Sequence, residues 1–216
     1  MSDVVLVLAS ASPARRRLLE SAGIAVEVLV STVDEDSLAA DLGPIRPREL
    51  CGQLANAKAR DVADSVSRDG RFAGRHVLVL GCDSVLELDG VALGKPSDAP
   101  DVRRRWAAMS GRSGLLHTGH ALIDLPPERD GTAHRSSVAT TLVRFGRPSA
   151  EELESYIEHG EPLRVAGAFT IDGLGGAFID GIDGDHGTVI GVSLPLVRRL
   201  VTESGLRWTD LWSAES

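Results

Sequence analysis

Cysteine is scarce in this chain: Cys51 and Cys82 are the only two among 216 residues. They form no CxxC pair, so neither a disulfide scaffold nor a thiolate metal cluster can be built from them. An excess of positive charge is also lacking. Lys and Arg total 23 against 31 Asp and Glu, a net charge of −8, which argues against nucleic acid or a membrane surface as partner. Long apolar runs are missing too. The first one, residues 4–9, has no basic stretch ahead of it and is far shorter than a signal-peptide core or a membrane span. The expected setting is the cytoplasm, with reduced thiols. There is no internal repeat and no low-complexity tract. What remains is 43% apolar residues, enough for a sizeable core in one domain over residues 1–216. A polyanionic small substrate stays allowed, provided that it meets a local basic island.

Residues 4–9 are continuous and rich in β-branched side chains, which suits a buried strand. Ser12-Pro13 then reads as an N-cap with proline in the first helical position, and Gly23 as the stop. Residues 25–30 predict a second strand. Pro47 opens a long helix to about Ser67, with an apolar stripe through Leu50, Leu54, Ala57 and Val62. Val77–Leu80 predicts a strand that ends at Gly81-Cys82-Asp83-Ser84. Residues 85–88 and 91–93 flank Asp89-Gly90 as a hairpin. A helix over residues 100–109 follows. Strands over 115–125 and 138–145 come next, joined by a polar loop expected to be mobile. Ser149 and Glu152 form a capping box. The glycine-dense residues 167–176 lead into the short segments 177–180 and 188–192, and Pro195 opens the last helix. Strands alternating with helices, hairpins among them, give α/β with a mixed sheet.

Several tempting motifs fail. Gly173-Leu174-Gly175-Gly176-Ala177-Phe178 puts Phe178 where a dinucleotide fingerprint needs its third glycine, and Pro96 after Gly94-Lys95 stands where a P-loop needs Ser or Thr. His117 and His120 lie three apart in a predicted strand, so they face opposite ways and read as separate, partly buried polar residues. Asp180, Asp183 and Asp185 lack the glycine and the closing glutamate of a calcium loop and read as turn residues.

Other residues fit together better. Ser10, Ser12 and Arg15 stand at a strand-to-helix junction, where unpaired N–H groups and the helix dipole suit phosphate. Arg15 shares the inward face of Leu18, Leu19 and Ala22, an awkward place for a cation unless it meets an anion, whereas Arg17 points away from the sheet. Asp83, just past an apolar strand, falls where open α/β sheets bind ligands. Asp34-Glu35 could supply metal oxygens or simply be a solvated loop. Lys58 and Lys95 could reach phosphates, although isolated lysines are usually surface residues.

In their order along nearly the whole chain these pieces resemble the Maf family of nucleotide pyrophosphatases. The match runs through Leu8-Ala9-Ser10-Ala11-Ser12-Pro13 with Arg15, Val33-Asp34-Glu35, Ala57-Lys58-Ala59, Gly81-Cys82-Asp83-Ser84 and Leu93-Gly94-Lys95-Pro96. Met109-Ser110-Gly111, Gly167-Ala168-Phe169, Gly173-Leu174-Gly175-Gly176 and the segment from Val189 to Pro195 follow. The resemblance implies an elongated mixed-sheet α/β fold related to the inosine-triphosphate pyrophosphatases, two lobes around a cleft, and a homodimer. It also implies hydrolysis of nucleoside triphosphates to monophosphate and pyrophosphate, with Asp83 as proton acceptor. A divalent metal, Mg²⁺ first and Mn²⁺ as the alternative, would sit on Glu35 and Asp83. Ser10, Ser12, Arg15, Lys58 and Lys95 would face the phosphates, while Ser84 and Asp172 would contribute to substrate recognition. Ala14, Ser84 and Asp172 depart from the family's pattern at positions that bear on the base. The competing expectations are an inosine- or xanthosine-triphosphate house-cleaning pyrophosphatase and a nucleotide-binding regulator without turnover. Residues alone leave open whether Asp83 is base or metal ligand.

Overall fold

The computed structural model describes residues 4–128 and 131–213. Its frame is a mixed seven-stranded sheet. β1 (Val4–Ala9) is followed by α1 (Pro13–Ser21), the edge strand β2 (Val26–Val28), α2 (Glu35–Leu42) and the long α3 (Pro47–Arg68). Three 13-residue strands, β3 (His76–Leu88), β5 (Ser113–Leu125) and β6 (Ala133–Phe145), run the length of the molecule. β4 (Val91–Leu93), α4 (Ala99–Met109), α5 (Ala150–Glu158), β7 (Ile179–Asp183), α6 (His186–Ile190) and α7 (Leu194–Glu203) complete it. The strand order is β2-β1-β3-β5-β6-β7, with β4 on β3. β1 lies parallel to β2 and β3, and every other pairing is antiparallel. The mixed α/β class therefore stands as expected.

Packing explains the two lobes. On one face of the sheet, small α3 residues (Ala55, Ala59, Ala63) meet Val7, Val77, Val79 and Ala121. On the other, Leu19 of α1 and Val197, Leu200 and Val201 of α7 cover Leu6, Leu8, Leu78 and Leu80. The far ends of β3, β5 and β6 form a second lobe with α4 and α5 around Trp106, Phe145, Tyr156 and Phe169. Trp106 meets Phe145 edge-on at 5.9 Å, a favoured geometry for aromatic pairs.

Several local expectations need correction. The segment around Asp83 does not end a strand: β3 continues through it to Leu88 because β5 pairs with it throughout, Asp83 standing opposite Gly119. The strand expected over residues 25–30 keeps only Val26–Val28, since β1 offers it partners only from Leu6 to Leu8. Asp34-Glu35 opens a helix rather than a loop; Asp34 caps α2 by accepting from the Ser37 amide at 3.0 Å. Thr188 lies in a helix, capped by Asp185. The polar loop before β6 is shorter than expected, and its Arg129 and Asp130 lie outside the described residues. Asp89 and Gly90 both take positive φ, 52° and 78°, as the two-residue hairpin requires. Among the described residues no helix is long and apolar enough to cross a membrane.

Candidate active site

The site arises where β3 loses a neighbour. β1 pairs with β3 only as far as Gly81, and β4 pairs with it only from Leu86 to Leu88, so among the described residues no strand lies beside that edge of β3 from Cys82 to Val85. Alternation then sorts the side chains, Asp83 to the α3 face and Cys82 and Ser84 to the other. The cleft at this gap measures about 1270 Å³ and takes in Ser10, Ser12, Arg15, Glu35, Lys58, Asp83, Ser84, Lys95 and Asp172. All nine residues singled out from the sequence line one cavity.

Three of them make direct ionic contact. Lys58 Nζ lies 2.6 Å from Asp83 Oδ1 and 2.8 Å from Glu35 Oε1. Asp83 is 7% and Lys58 8% exposed, so this pair is shielded from water. Burial raises the Asp83 pKa above the ordinary carboxylate value, against the opposing pull of Lys58 and Arg15. Lys58 reaches Asp83 because α3 lies unusually close to the sheet. A methyl group on Gly81 would collide with the Ala55 carbonyl oxygen and stand 2.7 Å from the Ala59 nitrogen. Glu35 is placed by Asp61, one helical turn beyond Lys58. Its carboxylate accepts from Thr32 N at 2.7 Å and from Ser31 Oγ at 2.9 Å, tying down the approach to α2. The Thr32 amide bond, first among the causes, holds the Asp61 pKa below the usual range. The sequence signal for Asp61 is its place at i+3 from Lys58 on the same helix.

Arg15 is buried, as its position in α1 predicted, and most of its donors are already engaged. Four of its five N–H groups donate to protein oxygens: Nε to Gly191 O at 2.8 Å, Nη1 to Ser10 Oγ at 2.9 Å and Cys82 O at 3.0 Å, Nη2 to Ser84 Oγ at 3.0 Å. All four acceptors are uncharged, so among the described residues the guanidinium carries a buried positive charge with no carboxylate bound to it. It also plugs the open backbone edge of β3 at Cys82. Ser10 Oγ accepts from both Arg15 and the Ser12 amide, leaving its own proton to donate. Ser12 caps α1 through a long 3.4 Å contact from the Arg15 amide. Ser84 is more committed. Thr118 Oγ1 gives its proton to Thr188 O at 2.8 Å, so the 2.9 Å contact between Ser84 and Thr118 must carry the Ser84 proton. Ser84 can therefore meet a substrate only as an acceptor.

The second lobe supplies the remaining wall. Lys95 is exposed, on a loop fastened by Gly167 N to Gly94 O at 3.0 Å and by Arg105 Nη2 to Lys95 O at 3.3 Å. Ala168 adopts a positive φ of 61° without being glycine, a strained conformation in which its carbonyl accepts from Trp106 Nε1 at 2.9 Å. Arg17 comes within 3.7 Å of Asp172. Together with Arg164 it adds charge to the cleft that the sequence reading had not assigned.

His117 and His120 take separate partners, as their alternation implied. His117 contacts Glu87 at 2.9 Å and Thr140 at 2.8 Å. His120 Nε2 accepts from the Ser193 amide at 2.8 Å, fixing the turn before α7 near the carbonyl that binds Arg15. Burial, with the nearby Arg15 charge second, lowers the His120 pKa to about 4. A protonated ring has no lone pair for Ser193. Since the unfolded ring titrates near ~6.5, the unfolded chain takes up the proton first as pH falls. The His120 contribution to stability is complete above that value and is lost between it and about 4. At ~1.4 kcal/mol per pH unit the loss is on the order of 3 kcal/mol. Urea unfolding at pH 7 and pH 4.5 should show this drop in the native protein and a clearly smaller one in His120→Gln. Equal drops would discard the assignment.

A family model described as Maf-like protein matches residues 5–204. A nucleoside triphosphate pyrophosphatase of Streptomyces coelicolor is 54% identical over 208 residues, covering 96% of this chain and 94% of its own. One from Salinispora tropica is 53% identical, covering 96% and 87%. One from Mycolicibacterium gilvum is 51% identical over 210 residues, covering 96% and 98%.

Proposed function

Because the chain belongs to the Maf-like protein family, we propose that it is a nucleoside triphosphate pyrophosphatase: water attacks the α-phosphorus, and monophosphate and pyrophosphate leave. The observation that carries this reading is the meeting of Glu35 and Asp83 at the single cation of Lys58 on a cleft rimmed by Arg17, Lys95 and Arg164. A carboxylate and a triphosphate repel each other unless cations stand between them, and this cleft brings both kinds of group together.

The roles divide by chemistry. The N-terminus of α1 with Ser10 and Ser12, and the cations Lys58 and Lys95, hold phosphate oxygens. Arg15 adds positive charge from beneath, and keeps Ser10 and Ser84 in place. Asp83 takes the proton from the attacking water. A free aspartate, with a pKa of ~3.9, is a feeble base; burial raises the Asp83 pKa in the metal-free protein, against the pull of Lys58 and Arg15. Asp172 and Ser84 offer acceptor oxygens to the nucleoside. Glu35 and Asp83, which meet at Lys58 Nζ at 2.8 and 2.6 Å, would be the residues that hold a divalent ion, Mg²⁺ or alternatively Mn²⁺. Among the described residues no cluster of three or more metal-ligating side chains exists; such an ion would have to take its other ligands from phosphates and water. When bound, such an ion supplies neutralisation of phosphate charge and acidification of the attacking water. We place this enzyme in the cytoplasm, acting as one domain and as a homodimer.

Incubation with a panel of nucleoside triphosphates and Mg²⁺, followed by chromatography, should give monophosphate and pyrophosphate, and excess EDTA should abolish turnover. Accumulating diphosphate, or full activity in EDTA, would sink the reading.

A further inference from the structure

One carboxylate on the cleft has no part in the chemistry above. Glu161 lies between α5 and the short helical turn Pro162–Arg164, and it lines the cleft. Its Oε1 accepts from the Thr170 hydroxyl and from Gly175 N at 3.0 Å, and its Oε2 accepts from Leu174 N at 3.0 Å. A side chain on Gly173 would collide with this carboxylate, its Cβ standing 2.8 Å from Glu161 Cδ. The segment from Thr170 to Gly175 is thus folded around a single side chain. Burial alone would raise the Glu161 pKa, but the Thr170 hydroxyl and the two amides outweigh it and hold the group below its ordinary value.

That segment presents two features that the core does not explain. Leu174 is 52% exposed although it lines a cavity, and Asp172 stands two residues before it on the same wall. This stretch carries neither the carboxylate pair nor the α1 N-terminus, and its Asp172 comes within 3.7 Å of Arg17. An apolar side chain beside a carboxylate acceptor suits a nucleobase, which offers a flat apolar face and N–H groups at its edge.

We propose that Glu161 is the positioning residue that shapes the nucleobase-recognising wall, fixing Leu174 against the base face and Asp172 at its edge. The inference rests on the pyrophosphatase reading for its substrate class. Glu161→Gln keeps one acceptor oxygen but turns an amide N–H towards an N–H of the segment. Thr170→Val removes one of the three donors and leaves both backbone amides bound.

Calorimetric titration with the two products separates base recognition from phosphate binding. The probes are UMP, dTMP, CMP, AMP and GMP on one side and pyrophosphate, which has no base, on the other. Affinity for the best-bound monophosphate should fall about tenfold in Glu161→Gln, the scale of a lost charged hydrogen bond. It should fall less, in the same direction, in Thr170→Val, with pyrophosphate affinity within twofold of native in both. If Glu161→Gln does not fold, Thr170→Val decides the matter alone. A parallel loss of pyrophosphate binding, unchanged monophosphate binding, or a native protein that binds none of these monophosphates overturns the proposal. Native protein that binds monophosphate at this wall yet releases no pyrophosphate from any triphosphate would instead refute the enzymatic reading and leave the Glu161 assignment standing.

Discussion

Asp83→Asn should lower kcat by about 10²- to 10⁴-fold, the range of a lost general base, while the protein still folds. The substitution keeps the shape of the side chain and one oxygen for Lys58 Nζ, now 2.6 Å away. It removes the group that can take a proton, and it leaves Glu35 as the only charge on Lys58. Stability should change little because two effects oppose each other. A folded-state pKa raised by burial means that ionised Asp83 costs stability as pH rises through it, a cost that asparagine relieves. A half-paired buried lysine restores part of that cost. Steady-state kinetics with circular dichroism on the same sample tests this. A folded variant retaining more than roughly a tenth of native kcat, well inside the general-base range, would make Asp83 structural and move the search to Glu35, for which Glu35→Gln is the matching variant.

The fold was legible wherever local signals agreed with tertiary context. β1, the Ser12-Pro13 start of α1, the Asp89-Gly90 hairpin and the Ser149–Glu152 capping box stand where the residues put them. The errors have physical causes. The strand through Asp83 looked finished at Leu80 because glycine, cysteine, aspartate and serine are poor strand formers. Pairing with β5 along its whole length overrides that preference. The expected stripe of α3 holds at Leu54 and Val62, which are buried, and misses at Leu50 and Ala57, which are only partly so. The buried face also takes in Cys51, Ala55, Lys58 and Ala59, and small residues look neutral unless a helix is known to touch the backbone of a sheet. That wider face makes Lys58 part of a buried surface rather than an isolated surface lysine. α2 was missed although Asp34 followed by Glu35 and Asp36 is a regular helix-start pattern. Ser10, Ser12, Arg15 and Asp83 stood out by position, whereas Lys58 and Lys95, as isolated lysines, and Asp172 joined them only through the family resemblance; all line one cleft. The contacts of Arg15 were not legible, since its acceptors Cys82 O and Gly191 O are backbone atoms 67 and 176 positions away.

Gly119→Ala should lower kcat/KM by about 10²-fold or more, although residue 119 touches no substrate. Gly119 pairs directly with Asp83 across β3 and β5, and it faces the backbone of α3. A methyl group there would collide with the Cys51 carbonyl oxygen and stand 2.8 Å from the Gly52 nitrogen. Both are main-chain atoms inside a 22-residue helix, so no rotamer change can yield space. Either α3 moves out, or β5 bends. Moving α3 by the ~1 Å that a methyl group demands carries Lys58 away from Asp83, and displacements of that size cost about 10²-fold in positioned chemistry. The overpacking itself should cost ~1–3 kcal/mol of stability. Gly52→Ala is the control, on the same helix. Its added methyl would meet only a side-chain carbon of Val138 at 3.3 Å, which can give way. Denaturant unfolding and kcat/KM on the two variants decide the matter. If Gly119→Ala stayed within twofold of native activity while Gly52→Ala lost as much or more, the close approach of α3 would not be what brings Lys58 to Asp83.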